Sequence, residues 1–225
     1  MTATSLGDGQ GCRGSNNEEL DRFRRIRRLV NHWSRPTGPR SYYWYLTFED
    51  SAELHSLAEH CQQAISFPYY DLTPPSGLHL TLDRIAFEDD ITRKDLGAIE
   101  AAAVRACQDI APFEITLESL GGTPSAIGFA ANPERRIRHI RDRLRAATLS
   151  VYPSAPVKLS TFHPHVAIAY CNSDNDSAAE VITAVENLRT TAHARVTTDK
   201  ASLVLLERRP RAYAWTALSR VPFSG

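Results

Sequence analysis

Apolar positions along the chain alternate between a strand period and a helix period. Ser41-Tyr42-Tyr43-Trp44-Tyr45-Leu46-Thr47-Phe48 is rich in aromatic residues that suit a half-buried pleat, and it predicts a strand. Asp50, with Glu53 three residues on, reads as the cap of a helix whose inward stripe is Leu54, Leu57, Cys61 and Ile65. A proline-containing connection from Phe67 to Gly77 leads to a strand over His79 to Phe87. The next helix runs from about Thr92 to Gln108, with Leu96, Ile99, Ala103 and Ala106 inward. Phe113 to Leu120 predicts a strand, Gly121-Gly122 its turn, and Ala126 to Ala130 its hairpin partner. Pro133 opens a helix that buries Ile137, Ile140 and Leu144.

Tyr152 to Thr161 is a loop before a second short alternation, Phe162 to Tyr170. Ser177 and Glu180 form a capping-box pattern for a helix with Val181, Val185 and Leu188 inward. A weakly patterned strand is possible near Ala192 to Thr197. Ala201 to Glu207 and Ala212 to Val221 predict a closing hairpin around Pro210. Ahead of all these, Leu20, Phe23, Ile26, Val30 and Trp33 fall at helical spacing over Glu18 to Trp33, and Ser34 to Arg40 is a loop. Residues 1–17 are small and polar and predict a flexible tail, leaving 18–225 as one domain. The order describes an α+β protein with mostly antiparallel sheet, in two units of similar plan.

Each unit holds one histidine strand. In Leu78-His79-Leu80-Thr81-Leu82, the leucines face a core while His79 and Thr81 share the other face. In Phe162-His163-Pro164-His165-Val166-Ala167-Ile168-Ala169-Tyr170, His165 and Ala167 share a face opposite Val166 and Ile168. Corresponding places in two similar units let the imidazoles face each other across a cleft.

Composition narrows the field. The 26 basic and 26 acidic residues cancel, so no global field favours nucleic acid or an anionic membrane. The basic residues are nearly all arginine and crowd two predicted helices, 18–33 and the one after Pro133. Such faces are either solvated or polyanion-binding. Cys12, Cys61, Cys107 and Cys171 form no CxxC pair and are expected as free thiols, in keeping with a cytoplasmic protein. No apolar run approaches a membrane span, and the N-terminus lacks a signal-peptide pattern.

Two opposed histidines suit phosphodiester chemistry. One neutral imidazole takes a proton from the attacking oxygen, and a protonated one gives a proton to the leaving alkoxide. A hydroxyl on the same face can donate to a phosphate oxygen. His79-Leu80-Thr81-Leu82 and Phe162-x-Pro164-His165-Val166-x-Ile168 resemble the paired motifs of the two-histidine (2H) phosphoesterase superfamily, and most closely the bacterial 2′-5′ RNA ligase / RNA 2′,3′-cyclic phosphodiesterase group. The resemblance implies a bilobal fold of two antiparallel sheets with the active site between them. It implies metal-independent opening of 2′,3′-cyclic phosphates or related 2′-5′ and cyclic nucleotide linkages, with no cofactor. The substrate would be an RNA end or nucleotide, with no membrane and no obligate protein partner. By motif position His79 and His165 would be the acid/base pair and Thr81 a phosphate ligand.

The sequence departs from the family pattern at Ala167, where relatives carry Thr or Ser. His163 is a candidate compensating donor. Tyr170 stands where relatives often carry Arg, and it continues the His165 face only if the strand register is bent. Three other readings compete. A metal site built from His79, His163 and His165 lacks a nearby acidic or thiol ligand. A non-catalytic nucleotide- or RNA-binding module would account for Ala167 but not for two retained histidines. A purely structural domain would hold both by coincidence.

Overall fold

The computed structural model describes residues 21–158, 161–189 and 192–225. The expected tail, residues 1–17, lies outside them. The elements are β1 (Ser41–Thr47), α1 (Ala52–Ala64), β2 (Tyr70–Leu72), β3 (His79–Phe87), α2 (Arg93–Cys107), β4 (Phe113–Thr123), β5 (Ala126–Asn132), α3 (Glu134–Val151), β6 (His165–Cys171), α4 (Ala179–Leu188), β7 (Ala194–Thr198), β8 (Lys200–Arg209) and β9 (Ala212–Pro222). They build an α+β fold of two antiparallel sheets, ordered β3-β1-β8-β9 and β2-β6-β5-β4-β7. The final hairpin completes the sheet of the first histidine strand instead of extending the second unit. Its register explains this: β8 pairs with β1 so that Leu203 joins Trp44 in the core.

One continuous apolar core fills the space between the sheets and helices. Trp44 is fully buried, and its indole Nε1 donates to Thr148 Oγ1 at 3.0 Å, so the ring is buried without orphaning its N–H. A smaller cluster of Tyr45, Val204 and Leu206, with Tyr43, Tyr213 and Trp215 against it, covers the opposite face of the first sheet. Cys61, Cys107 and Cys171 are buried free thiols. No helix among the described residues is long and apolar enough to cross a membrane.

Several local expectations change. The N-terminal helix does not reach Trp33. From Arg28 onward the chain is drawn out by Leu29, Val30 and His32 N–H groups donating to Asp176, Pro124 and Cys171 carbonyls. Leu29 is buried and Val30 is 47% exposed, the reverse of the helical stripe. Gly121 and Gly122 lie within β4 rather than at its turn, which falls at Pro124-Ser125. Gly122 has to be bare, since a Cβ there would sit 2.4 Å from the Ala126 carbonyl oxygen. Ser51, not Asp50, is the N-cap of α1, and the Glu53 carboxylate accepts from the Arg195 N–H instead of closing a capping box. Ala178 takes the N-cap position of α4, while the Ser177 Oγ accepts from the Ala179 N–H at 3.3 Å. The second histidine strand starts at His165, leaving His163 in the extended segment before it.

The arginines of α3 also resolve into structure. Arg145 Nε and Nη2 grip the Asp83 carboxylate at 2.5 and 2.9 Å. Arg143 bonds Asp109 and the Ala106 carbonyl, Arg138 bonds Glu134 and the Phe162 carbonyl, and Arg136 bonds the Ala111 carbonyl. Arg141 is buried with its guanidinium 4.5 Å from the Phe162 ring centroid. Among the described residues, Arg135 alone of the six stands in solvent without such a contact. The helix is a set of staples between layers, not a basic face.

Candidate active site

A tight turn over Pro75–Gly77 delivers the chain into β3. The Gly77 carbonyl accepts from His79 Nδ1 at 2.9 Å. A carbonyl can only accept, so Nδ1 carries the hydrogen and Nε2 is the nitrogen left to a substrate. Across the sheet, Tyr45 pairs with Thr81 and Thr47 with His79. The Tyr45 ring stacks on the His79 imidazole at 4.3 Å, and Trp215 meets it edge-on at 4.7 Å. Only 8% of His79 stays exposed. That burial pushes its pKa down to about 4. The Gly77 hydrogen bond works against this, and the field of His165 adds to it. His79 is therefore held neutral. The Tyr45 hydroxyl hydrogen-bonds with Thr81.

The same device recurs in the other lobe. His165 opens β6, and its Nδ1 bonds the His163 carbonyl at 2.8 Å, again two residues back. This imidazole is exposed. Its influence on the His79 pKa sets the two rings within electrostatic reach of one another across the lobes.

Between Ala167 and Ala169 the strand bulges. Gly128 pairs with Ala167 and Ile127 with Ala169, leaving Ile168 without a partner on β5. The Ile168 carbonyl is taken by the Thr73 N–H at 2.8 Å and Gln62 Nε2 at 2.9 Å. The bulge inverts the alternation beyond it. Ala169 and Cys171 enter the core, and Tyr170 returns to the face of His165 and Ala167. Gly128 is required beneath it: a Cβ there would lie 2.4 Å from the Val166 carbonyl oxygen and 2.9 Å from the Ala167 Cα.

Tyr170 meets His32 and Trp33, which the sequence places in a helix, and Tyr213 of the closing hairpin. The His32 ring lies 4.4 Å from that of Tyr170, Trp33 5.3 Å and Tyr213 5.5 Å. His32 Nε2 bonds the Tyr213 hydroxyl at 2.7 Å, and Trp33 Nε1 donates to Asp71 Oδ2 at 2.9 Å. Asp71 also accepts from Asn172 and Arg211, which hold its pKa down against burial. Burial first, then the charges of Arg208 and Arg35, push the His32 pKa down to about 4.

The structure thus sets His79 and Thr81 on one strand face and His165, Ala167 and Tyr170 on another, while His163 contributes its backbone carbonyl. Sequence reasoning missed Tyr45 and Trp215 around His79. Their signal was present, as Tyr43/Tyr45 and Tyr213/Trp215 are spaced two apart, but it needed the β1–β8–β9 register to join them. Two hollows, of about 340 and 560 Å³, lie along Thr47–Glu53 with Arg195–Lys200 and between α2 and α3; neither includes a site histidine. Among the described residues no cluster of three His, Cys, Asp or Glu side chains is arranged to hold a metal.

Two antiparallel sheets, each presenting one backbone-latched histidine on a strand, define a two-histidine phosphoesterase-like protein. A sequence model of the 2′-5′ RNA ligase superfamily matches residues 48–210, and the chain belongs to that superfamily. The fold is shared with TT0787 of Thermus thermophilus, at TM-score 0.63 and 20% identity over 82% of this chain and 98% of that one. It is shared with E. coli LigT complexed with 3′-AMP, at TM-score 0.61 and 16% identity over 84% and 100%. ATU0111 of Agrobacterium tumefaciens str. C58, a conserved protein of unknown function, aligns at TM-score 0.53 and 13% identity over 80% and 84%. No curated protein matches the sequence.

Proposed function

We propose that this protein is a cyclic phosphodiesterase that opens 2′,3′-cyclic phosphates, or related 2′-5′ and cyclic nucleotide linkages, with His79 and His165 as the acid/base pair. The observation that carries this reading is the repeated latch. Each imidazole has Nδ1 on a carbonyl two residues back, so each turns the same nitrogen, Nε2, to the cleft. The likeness to E. coli LigT, solved with 3′-AMP and with phosphate, supports a nucleotide substrate.

The environments divide the roles. Neutral His79 accepts the proton of the attacking water at Nε2. His165, the exposed member of the pair, serves as the acid and gives a proton from Nε2 to the ribose oxygen as the P–O bond breaks. The Tyr45 hydroxyl hydrogen-bonds with Thr81, and when substrate binds the tyrosine takes the donor role, which frees the threonine O–H for a non-bridging phosphate oxygen. Tyr170, brought round by the bulge, contributes its hydroxyl to substrate binding, and Ala167 leaves one expected donor missing. A non-catalytic nucleotide-binding module is the second reading, and Ala167 is what favours it.

Turnover of nucleoside 2′,3′-cyclic phosphates in the presence and absence of EDTA tests the proposal. EDTA-resistant opening, lost by about 10²-fold or more in both His79→Ala and His165→Ala, is expected. Folded variants that retain turnover refute the roles, and a folded wild type that binds nucleotides without turnover moves the reading to the binding module.

A further inference from the structure

The aromatic floor around His79 does not stop at Trp215. The Tyr45, Val204 and Leu206 cluster carries Tyr43, Tyr213 and Trp215 on the same sheet face. Tyr213 lies two residues from Trp215, about 7 Å along β9. There it meets Tyr170 from the other lobe and His32 and Trp33 from the segment before β1. A row of rings therefore runs from the imidazole of His79 to a wall of four aromatic side chains.

Three features say what this wall faces. His32 and Trp33 precede the family-matched region, residues 48–210, and Tyr213 follows it on β9, so three of the four wall residues are not described by the family pattern. It is anchored to both lobes: the His32 N–H donates to the Cys171 carbonyl in one, while Arg208 in the other donates to the His32, Arg35 and Pro36 carbonyls. And its charged groups are held in place. Asp71 is covered by Arg211, Asn172 and Trp33, and Arg208 is tied to three backbone carbonyls with its guanidinium 5.7 Å from the Trp33 ring centroid. The four residues are half-buried, so ring surface stays accessible, and that suits a planar group able to stack.

We infer that His32 and Trp33, with Tyr170 and Tyr213, form a nucleobase wall that makes the site selective for a phosphodiester carrying a terminal nucleoside over one without a base. This rests on the phosphodiesterase reading for the position of the phosphate at the two histidines. The phosphate lies by His79, the ribose crosses Trp215, and the base packs against the wall. Because the segment crosses from lobe to lobe, the cleft ends there and accepts one nucleoside in that direction.

The test is binding of adenosine 3′-monophosphate and ribose 5-phosphate, by calorimetry, to wild type, Trp33→Ala, Trp33→Phe and Tyr213→Phe. Nucleoside 2′,3′-cyclic phosphate turnover is measured in parallel. Wild type is expected to prefer the nucleotide by roughly tenfold or more, from one base-aromatic stack. Trp33→Ala should collapse that preference, while Trp33→Phe and Tyr213→Phe, which keep the rings, should retain it. A wild type with equal affinity for the two ligands, or a folded Trp33→Ala with its preference intact, overturns the wall. Turnover without base preference removes the wall and leaves the phosphodiesterase reading standing. Base preference without turnover does the opposite.

Discussion

Replacing Trp215 with alanine should move the protonation of His79 without touching either histidine. The indole closes one side of the imidazole, and Tyr45 closes another. Burial is the first cause of the fall in the His79 pKa from 6.5 to about 4, a gap worth about 3 kcal/mol. With Tyr45 left in place the variant regains part of that gap. Recovering about three-fifths of it puts the pKa near 5.5. At pH 5 an imidazole of pKa 4 is about nine-tenths neutral and one of pKa 5.5 about one-quarter neutral. If His79 is the base, the acidic limb of kcat/KM therefore rises by more than one pH unit, and plateau-normalised activity at pH 5 falls about fourfold. Normalisation matters because Trp215 also floors the cleft and its loss lowers the plateau. The same variant changes stability. His79 binds its proton less readily folded than unfolded, so the unfolded chain takes up more protons between about pH 4 and 6.5. The contribution is complete above the unfolded pKa and is lost as pH falls through that window, and Trp215→Ala should flatten the loss. Histidine NMR titration and a pH series of urea melts read both effects. A folded variant whose acidic limb stays where the wild type has it refutes the reasoning.

Other outcomes follow from the packing and the site. Gly128→Ala places a Cβ against the backbone of the β6 bulge, and should lower the denaturant midpoint by the equivalent of about 2–4 kcal/mol or prevent folding. Asp83→Asn leaves the largely buried Arg145 guanidinium without its counter-ion and should cost about 3–5 kcal/mol in urea unfolding; the double variant with Arg145→Met should recover much of that. Ala167→Thr restores a hydroxyl on the His165 face. A charged-acceptor hydrogen bond of about 1.5–3 kcal/mol predicts roughly 10- to 100-fold faster cyclic phosphate opening, and no change in steady-state kinetics would mean that another donor, such as Tyr170, already occupies the place.

Much of the scaffold was legible because burial writes a period into the chain. The leucines flanking His79 and the Val166–Ile168 pair announce one-sided strands, and those strands carry the histidines where expected. Tyr70–Leu72 was hidden in a proline-containing connection, too short for alternation to register. The Phe23–Trp33 spacing imitated a helix, but helical spacing does not reveal competing carbonyls, and Asp176, Pro124 and Cys171 drew the segment out. The bulge at Ile168 has no local signature either; the room for it comes from a glycine 40 positions away on the neighbouring strand. Charge counting failed on α3 for the same reason, since the partners of Arg143 and Arg145 lie 34 and 62 residues upstream.

Under the proposed function, that helix has a consequence for how a long RNA would be met. A face of six free arginines would displace counterions along the polymer, and affinity would fall steeply with added salt. Here the guanidiniums are closed against the protein's own carboxylates, carbonyls and rings, so little of the helix's charge reaches outward. This helix then contributes scarcely any grip on a chain beyond the terminal nucleoside, and the outward-facing positive charge lies instead on the arginines of residues 22–28. Removing charge from α3 should leave the salt slope for a long transcript as it is, so that α3 serves the architecture and not the length of the polymer.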